Sequence, residues 1–134
     1  MSRELLWLTL TIGLTALIWV PYILDRIMVR GLMGSMKNPT RNDKPQSPWA
    51  VRMMFAHTNA VENLVIFAPL VLITDALNNR NGITAFACAL FFWSRVAHLV
   101  IYTAGWPVGR TLAFTAGFIA QVLLLIEIFR GVYS

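Results

Sequence analysis

Asn59, Glu62, Asn63, Arg95 and His98 lie inside long apolar runs, where polar and ionisable side chains are rare. A charge at the centre of a bilayer costs about 2.5–3.5 kcal/mol on insertion scales, so such residues turn toward a bundle interior and find partners there. At 100° per residue, Arg52, Asn59 and Glu62 fall on one side of a helix, with Asn63 beside them. Arg95, His98 and Tyr102 form a second stripe at i, i+3 and i+7. With the two helices as antiparallel neighbours, Glu62 and Arg95 reach similar depth, and an ion pair between them is expected. Such a pair can pin helix register, with the asparagines as interhelical glue, or it can belong to a ligand site. Both readings stay open on these residues alone.

A second constellation follows the string Pro107-Val108-Gly109, where Arg110-Thr111 is expected to open the last helix. A helix N-terminus presents free amide donors and partial positive charge. A guanidinium and a hydroxyl added there make a place for an anion or a thiolate. The alternative is a membrane-flanking arginine beside a threonine cap. His57 lies about 140° around the helix from Arg52 and reads as a packing or interface residue. Asp75, Glu127, Arg130 and Arg3 fall near span ends and read as interfacial, while Asp25 and Arg26 fit either reading. No metal site is expected: His57 and His98 belong to separate helices, and the lone Cys88 reads as a small packing residue unable to form an internal disulfide.

Four apolar runs must position these groups, at about residues 5–29, 49–77, 83–104 and 111–129. Each supplies the roughly 20 residues a spanning helix needs. The runs lack the alternation of barrel strands, so helices are expected. Pro21 and Pro69 fall within the first two runs and predict local kinks. The stretch from Arg30 to Pro48, rich in Gly, Asn and Pro, predicts a loop, and the other connections are short. The expected architecture is all-α and integral to the membrane: one domain over residues 1–134, a four-helix transmembrane bundle of up-down topology.

Composition agrees. Of the 134 residues, 57% are hydrophobic and 13% charged, against about 45–50% and about 25% in a soluble domain. Mean hydropathy is +0.64. A soluble enzyme, a disordered binder and a disulfide-stapled module are poor fits. The net charge of +5 comes from basic residues gathered in and beside one loop rather than from a basic stripe interleaved with aromatics, so nucleic acid is not an expected partner. Lys/Arg placement puts the first loop and the 105–109 turn on the cytoplasmic side, with Trp49 and Trp106 as interfacial anchors. The first run exceeds a signal-peptide core and lacks a small-x-small exit, so it is read as a retained span. Compact termini and the lack of a retention signal give a bacterial inner membrane as the expected location.

Three strings carry a family resemblance. Phe55-Ala56-His57-Thr58-Asn59-Ala60-Val61-Glu62-Asn63 resembles the second-helix pattern Arg-Ala-His/Gln-x-Asn-x-x-Glu of the membrane-associated eicosanoid and glutathione metabolism (MAPEG) family. Arg95-Val96-Ala97-His98-Leu99-Val100-Ile101-Tyr102 resembles its third-helix string, and Pro107-Val108-Gly109-Arg110-Thr111 the start of its fourth helix. The resemblance implies a homotrimer with glutathione bound between adjacent subunits near the cytoplasmic face. It implies that Asn59, Glu62, Arg95, His98 and Tyr102 surround the tripeptide, that Arg110 stabilises its thiolate, and that Thr111 adds a hydroxyl. A first-helix arginine that contacts ligand in the family would be Arg26 or Arg30. Three positions depart from the pattern: Phe55 stands where the family has its leading arginine, Thr58 where some members have a basic residue, and Phe114 where active members often have tyrosine. Arg52, about one turn away, would partly substitute for the lost cations.

The function so implied is a glutathione-dependent transferase or peroxidase acting on a lipophilic electrophile or hydroperoxide that enters from the bilayer. The alternative is a non-enzymatic trimer that binds membrane lipid or an acidic metabolite, its polar network serving assembly. A transporter fits less well, since broken-helix pairs and repeated halves are absent from the pattern.

Overall fold

The computed structural model describes all residues from Met1 to Ser134 as five helices and no strand: α1 (Arg3–Leu17), α2 (Trp19–Met36), α3 (Pro48–Ala76), α4 (Gly82–Ala104) and α5 (Pro107–Tyr133). The first two form one continuous span, so four helical stretches are long and apolar enough to cross a membrane: Arg3–Met36, Pro48–Ala76, Gly82–Ala104 and Pro107–Tyr133. The α1–α2 break at Ile18 is the kink expected at Pro21, which has no N–H for the Leu17 carbonyl and whose ring crowds it. α3 stays a single helix through Pro69.

Two boundaries differ from expectation. The predicted loop starting at Arg30 is helical to Met36, because Gly31 takes φ +72° and redirects the chain without ending it. The last helix begins at Pro107, three residues before the expected Arg110 start. Proline fits a first helical position, where its missing N–H would have no intrahelical partner.

α4 is capped at both ends. Asn81 accepts from the amides of Ile83 (2.8 Å) and Thr84 (3.0 Å), while the Thr84 hydroxyl accepts from the Asn81 amide (2.9 Å), a reciprocal capping box. Gly105 closes the other end at φ +85°, with its amide on the Ile101 and Tyr102 carbonyls.

The core centres on Phe67 and Phe91, whose rings stack at 3.8 Å, with Val71, Ala87, Cys88, Ala120, Leu124 and Leu8 around them. Cys88 is fully buried, the packing residue its surroundings suggested. α5 approaches α4 closely because Ala113, Gly117 and Ala120 share one face. Leu112, Phe118, Phe129 and Val65 point outward, as lipid-facing residues do.

The end opposite the long loop is tied by polar contacts among α1, α3, α4 and α5. Ser2 donates to Asp75 (3.0 Å) and Thr84 to Glu4 (2.7 Å). Asn81 donates to Glu127 (2.8 Å), and Arg130 pairs with the same carboxylate at 2.8 Å. Glu127 is 6% exposed, more enclosed than the interfacial position expected for it.

Candidate functional site

Where α4 passes into α5, beside the start of α3, two adjoining recesses share Tyr102 and Arg110 as a common wall. One, of about 290 Å³, is lined by Arg52, Phe55, Gly105, Trp106 and Pro107 in addition to that pair. The other, of about 310 Å³, adds Asn59, His98, Thr111 and Phe114. Each is near the lower bound of small-molecule sites. Seven of the eight residues singled out by sequence therefore converge: Arg52, Asn59, His98, Tyr102, Arg110 and Thr111 line the recesses, and Arg95 lies against them.

Arg95 is 3% exposed. Its Nη1 donates to Asn59 Oδ1 at 2.8 Å, and its guanidinium carbon lies 5.7 Å from the Phe91 ring centre and 5.8 Å from that of Phe114. Nε and Nη2 are buried without a hydrogen-bond partner. Room for the group comes from Gly117: a Cβ there would lie 2.9 Å from Ser94 Oγ and 3.3 Å from Arg95 Nη2. No carboxylate lies within ion-pair distance.

The expected Glu62–Arg95 ion pair does not form within the chain. Glu62 is exposed and shares a separate recess with Tyr22, Met54, His57, Thr58 and Val61. The reason is angular. Glu62 is about 60° around α3 from Asn59, and α3 turns Asn59 and Asn63 inward. Asn63 donates to the Asn59 carbonyl (2.9 Å), and Gln121 of α5 donates to the Asn63 carbonyl (3.3 Å), so the asparagines do act between helices. His57 is an inter-helix contact as expected, with Tyr22 Oη and His57 Nδ1 2.7 Å apart.

Arg52 is held in place. Its Nε donates to the Thr103 carbonyl at 2.8 Å, and its side chain lies over Gly105, where a Cβ would stand 3.2 Å from Nε. Gly105 thus serves two ends, its positive φ and the close approach of Arg52. Arg110 lies 4.6 Å above the Tyr102 ring, a cation–π contact, and the His98 ring meets Tyr102 edge-on at 5.4 Å.

Two expectations at the α5 start need correction. Because the helix begins at Pro107, the Arg110 amide already donates to the Trp106 carbonyl (3.1 Å), and the free amides are those of Val108 and Gly109. Thr111 is not a cap. Its hydroxyl donates to the Pro107 carbonyl at 3.1 Å and must rotate before it can donate to a ligand.

Arg26 and Arg30, considered as ligand contacts, are engaged with the long loop: Arg26 Nε donates to Gln46 (3.0 Å) and Arg30 Nε to the Lys44 carbonyl (2.7 Å). Asp25, left open by sequence, is buried and accepts from the Ser47 amide (3.1 Å) and from Gln46 (3.2 Å), closing the N-terminus of α3. Sequence reasoning passed over Gly105 and Gly117 as site residues; a glycine inside or closing an apolar helix was the available signal.

The donor set suits an anion. Two guanidiniums, those of Arg52 and Arg110, line recesses whose walls contain no carboxylate, and a third, that of Arg95, is joined to the lining through its hydrogen bond to Asn59. Aromatic rings of Phe55, Trp106 and Phe114 provide apolar surface beside them. Among known proteins, no curated protein and no solved structure matches the chain. A family model described as the MAPEG family matches residues 4–130, nearly the whole length and including all three strings. The chain belongs to the MAPEG family.

Proposed function

We propose that this protein is a membrane-embedded glutathione-dependent transferase or peroxidase, assembled as a homotrimer of up-down four-helix subunits. The observation that carries the reading is Arg95, a buried guanidinium with two partnerless nitrogens that is joined through Asn59 to recesses walled by Arg52 and Arg110. A cation in that state favours a site whose anion comes from a ligand. Glutathione, with two carboxylates and a thiol, would place one carboxylate against Arg52 and the other toward the Arg95–Asn59 pair, and supply a nucleophilic sulfur near Arg110.

A free thiol has a pKa of about 8.5 and is only a few per cent ionised at pH 7. Bringing it to about 6.5 requires roughly 2.7 kcal/mol of preferential stabilisation of its anion. Arg110, the free amides at the start of α5 and a rotated Thr111 hydroxyl are the groups able to contribute. In conjugation the sulfur forms a bond to carbon of the electrophile, which expels its leaving group or, at an activated double bond, breaks the π bond and takes up a proton. In peroxide reduction it takes the terminal oxygen as the O–O bond breaks and the alcohol leaves, and the thiol of a second glutathione then displaces water from the sulfenic acid to give the disulfide. Phe114 lines the recess and is exposed, as are Leu112 and Phe118 of the same helix, an apolar surface by which a lipophilic substrate would approach from the bilayer.

Glu62 supports assembly. It lies at the midpoint of α3, exposed and without an ion-pair partner, at a depth where contact with lipid is costly and a neighbouring subunit is the favourable alternative.

The test is glutathione binding by calorimetry on detergent-purified protein, together with conjugation of a chromogenic electrophile. Arg110→Ala is expected to lower turnover by tenfold or more while the protein still folds. Unchanged turnover removes Arg110 from its role, and no binding at millimolar glutathione removes the thiol reading.

One observation favours a second reading. Phe55 is 59% exposed on the recess wall where the family pattern has arginine, so the site is less cationic and more apolar than the family's. A non-enzymatic trimer binding lipid or an acidic metabolite would show heat with such ligands and none with glutathione.

A further inference from the structure

We propose that the hollow between the end of α2 and the α2–α3 loop binds the phosphate of an anionic phospholipid. Up to the break at Gly31, the first span runs from Arg3 to Arg30, about 42 Å of helix, against a hydrocarbon layer of about 30 Å. Its last turns therefore stand at headgroup depth. There Val29, Arg30, Gly34, Lys37, Asn42, Asp43 and Lys44 enclose a volume of about 240 Å³.

The cations are held by the fold. Arg30 donates through Nε to the Lys44 carbonyl (2.7 Å), which brings the loop back against α2, and its Nη1 stands 3.7 Å from Asp43. Lys37 is 3.3 Å from the same carboxylate. Asp43 accepts from the Thr40 amide (2.9 Å) and hydroxyl (3.0 Å). The Thr40 N–H above all, then its hydroxyl and Lys37, hold that carboxyl below its ordinary range, so it stays ionised and orders the loop. Arg30, Lys37 and Lys44 line the hollow with a single carboxylate, that of Asp43, leaving a surplus of positive charge beside the side-chain amide of Asn42.

The choice of a lipid over a free anion comes from the adjoining surface. Past Gly31 the chain makes one further turn that leaves Leu32, Met33 and Met36 exposed, beside Met28, which is 85% exposed. These flexible apolar side chains border the cationic hollow as acyl chains border a headgroup. A free ion would make no use of them.

Native mass spectrometry of the detergent-purified protein, titrated with phosphatidylglycerol or with phosphatidylcholine of equal chain length, tests this. The parent should prefer phosphatidylglycerol. Each lysine near an anionic headgroup is worth about fivefold in affinity, so Lys37→Gln/Lys44→Gln should weaken phosphatidylglycerol binding roughly thirtyfold and leave phosphatidylcholine binding unchanged. The contact from Arg30 uses the Lys44 backbone and survives the substitution; Lys44→Gln alone, expected at about fivefold, serves if the double variant does not fold. Arg3→Gln/Arg80→Gln, at the other end of the bundle, should change nothing. Equal binding of the two lipids, or a preference retained in the lysine variants, overturns the proposal. So does displacement of the lipid by millimolar inorganic phosphate, which would make the hollow a site for free anions.

Discussion

Replacing Arg95 by methionine separates what this residue does for folding from what it does for binding. In the structure its favourable contacts are one charge-assisted hydrogen bond, to Asn59 at 2.8 Å, and two aromatic faces at 5.7 and 5.8 Å. The hydrogen bond is worth about 1.5–3 kcal/mol, and cation–π contacts near the 6 Å limit about 0.5 kcal/mol each. Against these stand an effective desolvation cost of several kcal/mol for a buried ion and about 1–3 kcal/mol for each partnerless donor, of which Nε and Nη2 are two. The balance is unfavourable. Methionine has a similar reach and can fill the hollow beside Gly117 without a charge. Asn59 Oδ1 would still accept from Asn63 at 3.3 Å, so no new orphan appears. Arg95→Met is therefore expected to raise stability by about 1–3 kcal/mol, or about 4–12 °C in melting temperature, while abolishing glutathione binding. Thermal unfolding in detergent without ligand, followed by calorimetry, measures both. A lower melting temperature in the variant would refute the reasoning, because it would mean that Arg95 has an anionic partner in the assembled protein.

Gly105→Ala should cost about 1–2 kcal/mol for a left-handed φ of +85° and push Arg52 off the Thr103 carbonyl. Glutathione affinity should then fall about tenfold or more, and a calorimetric constant equal to the parent's would dissociate Arg52 from the ligand. Asp43 has a carboxyl pKa held below its ordinary 3.8, so its contribution to loop order is complete above that value and is lost as pH falls through the lowered one. Hydrogen exchange at the Thr40 amide, corrected for its intrinsic rate, should show protection that disappears in that acid range, and Asp43→Asn should remove the pH dependence. Glu62→Gln should leave the folding of the isolated subunit unchanged, since no partner within the chain is lost; a fall in the trimer fraction on size exclusion would place its partner on another subunit.

The spans were legible because hydropathy over some twenty residues is a strong signal; Asn59, Arg95 and His98 were legible as polar groups inside apolar runs, Arg52 and Tyr102 as their neighbours on the same helix faces, and Arg110 by its place after Pro107-Val108-Gly109. Glu62 was misplaced against Arg95 because a 60° difference around a helix lies within the width of any stripe drawn at 100° per residue. The extension of α2 to Met36 was hidden because Gly31 and Gly34 carry the same signal in a loop as in a redirected helix. The Asn81–Glu127 and Asp25–Ser47 contacts join residues 46 and 22 positions apart, a pairing that periodicity along single helices does not encode. Gly117 was silent for a related reason: its meaning depends on the side chain facing it from α4.

The two ends of the bundle differ in how completely their polar groups are satisfied, and this difference points to the working end. At one end Glu4, Thr84, Asn81, Glu127 and Arg130 engage one another at 2.7–2.8 Å through hydrogen bonds and an ion pair. There the polar side chains fasten helices, as interhelical hydrogen bonds in membranes do. At the other end Arg95 keeps two nitrogens unpaired, Thr103 Oγ1 is also buried without a partner, and Arg110 rests only on the face of Tyr102. A bundle selected for rigidity alone would close this end as it closes the first, since each unmet buried donor costs about 1–3 kcal/mol. Helix packing supplies the stability that lets the chain keep such groups open, with Phe67 stacked on Phe91 and α5 set close to α4 on small residues. The unsatisfied end is therefore where a ligand has the most to offer the fold, and where its binding should raise the melting temperature most.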